Sequence, residues 1–162
     1  MVNWGKNLVG WHFGFKLHLI INDKGELLVF KHTPVNVDDR EPVPEMAQDL
    51  FGRLFGDSGY ISQKLFEKLY EQGLQLITKR KKNMKNCLVK LIYKIMLRKR
   101  AIIESVNDQL KNISQIEHSR HRSFFNFLVN LLAGLVAYTY CDTKPALDIL
   151  FKGLPALPPA IF

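Results

Sequence analysis

Cysteine is scarce in this 162-residue chain. Cys87 and Cys141 form no CxxC pair and no disulfide framework, which leaves two reduced thiols in a cytosolic protein as the reading. Long apolar runs are scarce as well. The strongest, Phe124 to Tyr140, falls short of the ~20 residues that a membrane-spanning helix needs, and Asn126 and Asn130 interrupt it. It reads as a buried helix, and no membrane partner is expected. Met1 to Gly10 lacks the charged start and apolar run of a signal peptide, and it contains no acidic residue. Acid is missing from a second stretch: Lys79 to Arg100 holds ten basic side chains and no Asp or Glu.

That second absence localises the charge. Outside the stretch the chain carries 13 basic against 15 acidic side chains, so the formal net charge of +8 resides in one segment. A concentrated cationic segment points to a polyanionic partner, nucleic acid first. The apolar fraction of 47% and charged fraction of 23% are those of a globular domain and exclude a disordered chain. The length suffices for one domain with a real core and is short for two.

Hydrophobic periodicity gives the element order. Trp11 to Ile21 alternates with period two, as a strand does, and Asn22-Asp23-Lys24-Gly25 is a tight-turn signal before a second apolar run, Glu26 to His32. Val37 to Phe51 reads as a helix with Asp38 or Asp39 as N-cap. Leu54-Phe55-Gly56 is a short strand ending at Asp57. Ser62 caps a helix carrying Leu65, Phe66, Leu69 and Tyr70, which Gly73 ends, and Leu74 to Thr78 is a further strand. Helices follow, over about Arg98 to Ile113 and Phe124 to Tyr140. The order is that of an α/β domain, residues 1–150, with a Pro-rich extended or frayed tail, 151–162.

Two acids stand where chemistry is feasible. A carboxylate at a strand end, like Asp57, is fixed by the sheet and open at its edge, as metal chemistry requires; the same residue also suits an Asp-Ser-Gly-Tyr turn. At about 100° per residue, Arg100, Asn107 and Lys111 lie within roughly 60° of Glu104, so the four share a polar helix face. Ile103, Val106, Leu110 and Ile113 form an apolar stripe beside it. Glu104 is thus either an acid held among cations or half of an ordinary i,i+4 pair with Arg100.

Four blocks occur in order: Gly-Phe-Lys-Leu-His (14–18), Thr-Pro-Val-Asn (33–36), Gly-Asp-Ser-Gly-Tyr (56–60) and an Arg100, Glu104, Lys111 spacing. Together they resemble the catalytic-domain blocks of bacterial insertion-sequence transposases of the DDE type, over roughly residues 11 to 140. The resemblance implies an RNase H-like mixed sheet with flanking helices. It places the family's second and third catalytic carboxylates on Asp57 and Glu104, as ligands of Mg²⁺ or, in substitution, Mn²⁺. It also implies that Arg100 and Lys111 hold DNA phosphates near Glu104, while Lys79, Arg80, Lys81 and Lys82 track the backbone.

Two departures qualify this. Leu97 stands where the family has a tyrosine, with Tyr93 one turn earlier. The family's first aspartate belongs on a strand before residue 11, where this sequence has no acid. The expectation is therefore an N-terminally truncated transposase lacking the first strand and inactive by itself. It would act on insertion-sequence ends and target DNA in the nucleoid-bearing cytoplasm, pairing with a second copy or with full-length transposase. The alternative is a non-catalytic DNA-binding or regulatory remnant of such an enzyme.

Overall fold

A computed structural model describes residues 3–6, 11–79, 93, 96–97, 101–116, 123–146 and 160–161. β1 (Asn3–Lys6), β2 (Trp11–Ile21) and β3 (Leu27–Pro34) form an antiparallel sheet in that order. The sequence led to the expectation that no strand precedes residue 11; β1 stands there and pairs with β2, although it carries no acidic residue. The β2–β3 turn is built by Asn22, whose side-chain oxygen accepts from the backbone N–H groups of Lys24 (3.0 Å) and Glu26 (2.9 Å). Gly25 supplies the positive φ of 71° that the turn requires.

Residues 35–42 then run as turns, and the stretch from there to β4 holds one short helix, the four-residue α1 (Val43–Met46). The long helix expected over Val37–Phe51 does not form. Pro42 and Pro44 admit only a helix start at that point, and neither Asp38 nor Asp39 caps it: the N-cap is Pro42. Asp38 instead accepts from the backbone N–H of Arg40 at 2.9 Å, an Asx turn that competes with helix.

β4 (Gly52–Gly56) leads through a short 3-10 turn (Ser58–Tyr60) to α2 (Gln63–Glu71) and β5 (Leu74–Thr78), which pairs parallel to β4 from Gly52↔Leu74 to Gly56↔Thr78. Ser62 caps α2 by accepting from Leu65 N–H at 3.4 Å, and Gly73 (φ 81°) makes the exit. α3 (Ile102–Asn112) and α4 (Phe124–Thr139) follow, and β6 (Ala160–Ile161) pairs parallel to β4 at Arg53 and Leu54. An antiparallel bridge from Ile161 to Asn22 ties that strand to the end of β2. α4 has 16 residues, and among the described residues no helix is long and apolar enough to cross a membrane.

Strand periodicity sorts the apolar residues into two cores. Leu17, Leu19 and Ile21 of β2, with Phe55 and Ile77, pack with Val106, Leu110, Leu131, Leu135 and Tyr138 of α3 and α4. Ile20, Leu54, Leu74 and Leu76 face the other way and pack with Val43, Met46, Leu65 and Leu69 of α1 and α2. Successive strand residues point to opposite faces, so the strands form a middle layer with helices on both sides.

Candidate functional site

Asp57 is the first residue beyond β4. Its backbone is still extended (φ −77°, ψ 171°), and its carboxylate accepts from the N–H of Ser58 at 2.6 Å, which caps the 3-10 turn. The turn carries Tyr60 back over β4. Tyr60 packs beside Gly56, where a Cβ would meet its ring at ordinary contact distance, 3.4 Å. Asp57 and Tyr60 line a mainly apolar cavity of about 150 Å³ between β2 (His18 to Ile20) and β4 (Leu54 to Gly56). One residue of α3 reaches it, Ile103, the neighbour of Glu104.

The sequence blocks also assemble groups that sequence patterning does not mark as functional. Lys16 and His18, two residues apart on β2, share a face. The Lys16 ammonium donates to the Val37 carbonyl (2.8 Å) and pairs with Asp39 (2.9 Å). The His18 ring is buried, with Nε2 2.8 Å from the Thr33 hydroxyl of β3. Burial pushes the His18 pKa down; Asp39 opposes this in part, while Lys16 and Lys31 add to it. Tyr60 is held protonated, its pKa raised first by burial and then by the negative charge of Asp39, Asp57 and Asp38. The period-two alternation of β2 was the signal that Lys16 and His18 share a face; what they face depends on turns distant in sequence.

On α3 the buried stripe is Ile102, Val106 and Leu110. Ile113 was expected in it and is 72% exposed; it is the C-cap residue, at which α3 ends. Glu104 lies exposed in the first turn. Asn107 and Lys111 are half-buried and line a groove against β2. Leu97, at the position of the family's tyrosine, is buried in the core, and Tyr93 lies beneath the Arg53 guanidinium, 5.1 Å from its ring centre. Lys79 is exposed directly after β5. Arg80, Lys81, Lys82 and Arg100 lie outside the described residues.

Hard carboxylate oxygens such as those of Asp57 and Glu104 suit a magnesium ion in kind. In number they fall short: among the described residues, no three His, Cys, Asp or Glu side chains stand close enough together to hold a metal ion. A family model described as a transposase DDE domain matches residues 1–124. No curated protein and no solved structure matches the chain.

Proposed function

We propose, given that the chain belongs to the transposase DDE domain family, that Asp57 and Glu104 are two carboxylates of a Mg²⁺-dependent site for DNA strand cleavage and transfer. The supporting observation is positional. Asp57 ends β4 at a cavity that α3 enters with Ile103, the residue before Glu104. Central strands with helices on both faces and a parallel β4–β5 pair suit an RNase H-like architecture, which we take as the working fold.

When bound, Mg²⁺ would neutralise charge on the attacking and leaving oxygens of a phosphodiester. The chain's own contribution is to hold the two acids on a strand end and a helix, the rigid elements such a site needs. Lys111 and Arg100 would take DNA phosphates, and the Lys79–Lys82 run would follow the backbone. Mn²⁺ would substitute for Mg²⁺.

A two-ion site needs more oxygen ligands than two side chains provide, so residues 1–162 alone are expected to be inactive. The test is cleavage and joining of labelled DNA carrying the element's termini, with Mg²⁺ or Mn²⁺. The 162-residue chain should give no product. Fusion of an aspartate-bearing strand ahead of β1 should give metal-dependent product that Asp57→Ala or Glu104→Ala abolishes. Product that persists in both variants would overturn the site assignment. The lack of a three-acid cluster among the described residues favours a second reading, a DNA-binding protein without chemistry. Metal-independent binding with no cleavage even in the fusion would support it.

A further inference from the structure

A groove of about 460 Å³ runs between β2, α3 and α4. Its size lies within the ~300–1,000 Å³ usual for small-molecule sites. Phe15 of β2 and Phe127 of α4 line it with their rings nearly parallel, 5.9 Å between centres and 16° between planes. Phe124 extends the cluster, its ring centre 5.0 Å from that of Phe15, and the residue is 47% exposed. A residue that served only the core would be covered; this aromatic cluster reaches solvent. Opposite the rings, α3 contributes Asn107, an amide that both donates and accepts, and Lys111, a cation.

The groove continues toward Asp57. Lys16, Leu17 and Asn107 also line the adjoining groove, of about 400 Å³. That one shares His18, Tyr60 and Ile103 with the Asp57 cavity. A nucleic-acid strand lying along β2 would therefore pass from Asp57 to the aromatic end. In sequence, the five residues before Ser123 include His118, Arg120, His121 and Arg122, so the aromatic end of α4 follows a further basic run.

We propose that this groove binds one unpaired nucleotide of a DNA strand. The base stacks against Phe15, Phe127 and Phe124, Asn107 bonds its edge, and Lys111 meets its phosphate. Aromatic faces accept any base, so the pocket selects unpaired over paired DNA rather than one sequence over another. The inference rests on the DNA-binding part of the reading above and not on its metal chemistry.

The test is fluorescence anisotropy with the full chain, without divalent metal, on three probes: oligothymidylate, an abasic oligonucleotide of equal length, and a blunt duplex. Oligothymidylate should bind more tightly than the abasic strand. Phe15→Ala should weaken it on the order of tenfold, without affecting duplex binding. Phe15→Tyr should retain it, and Phe124→Ala, at an exposed ring, should weaken it without touching the core. Equal affinity for oligothymidylate and abasic strand would overturn the pocket, as would equal losses on all three probes in Phe124→Ala. Duplex binding without base dependence would overturn it and leave the DNA reading standing. Cleavage plays no part in the measurement, so a failed strand-transfer assay leaves the pocket intact.

Discussion

The Tyr138 hydroxyl donates to the Gly25 carbonyl at 2.6 Å, which fastens the end of α4 to the β2–β3 turn across 113 residues of sequence. The side chain is 3% exposed, and burial pushes its pKa up to about 12 from an ordinary 10.0. Tyr138→Phe leaves that carbonyl without its partner and should cost about 1–3 kcal/mol in urea denaturation. The native state holds this proton more tightly than the unfolded chain does, so the unfolded state binds fewer protons above pH 10. The contribution is therefore complete below about pH 10 and declines as pH rises toward about 12. Tyr138→Phe should flatten that decline; an unchanged slope would assign it to other groups.

Gly25 itself is doubly constrained. Its φ is 71°, and a Cβ would clash with the Pro145 carbonyl oxygen. Gly25→Ala should destabilise the chain by more than the ~1 kcal/mol of backbone conformation alone, because Pro145 must also move. A melting temperature equal to that of the unmodified chain would show that the segment after α4 does not rest on this turn in solution.

His18 sets an acid limit. Its folded pKa lies below the ordinary value of 6.5, so the unfolded chain binds more protons than the native one as pH falls through that value. The stability it contributes is complete above about pH 6.5 and is lost below it, until the folded pKa is reached. Thermal melts between neutral and mildly acidic pH should show this fall, and His18→Gln should remove part of it. Melts of the two proteins with identical pH dependence would contradict the assignment.

The basic segment governs salt dependence. Changing Lys79, Arg80, Lys81 and Lys82 to Ala should reduce DNA affinity and make its dependence on salt shallower. For every phosphate that these cations no longer neutralise, the slope of log affinity against log salt should fall by about 0.9 on duplex. An unchanged slope would mean that none of the four cations meets the DNA.

Much of the scaffold was legible in the sequence because it follows from local rules. The alternation of residues 11–21 gave β2, Ser62 and Gly73 bounded α2, and Phe124 to Tyr140 gave α4 to within a residue. The helix expected over Val37–Phe51 failed where two prolines and an Asx turn outweighed apolar spacing. Likewise Ile113 fits the helical period, yet the helix ends before it.

By itself the sequence determined the charged segment, the strand and helix periods, and the four blocks that announce the family. Those depend on residue order over a few turns of chain. Tertiary structure alone decided that Ile103 joins Asp57 at one cavity, that Asp39 pairs with Lys16, that Phe15 stacks with Phe127, and that Ile161 lies beside Leu54. Each of these joins residues more than 20 positions apart, and such contacts are set by the joint packing of β2 and β4 between two helical layers. No local propensity encodes that packing, since it depends on how all the elements bury their apolar faces at once.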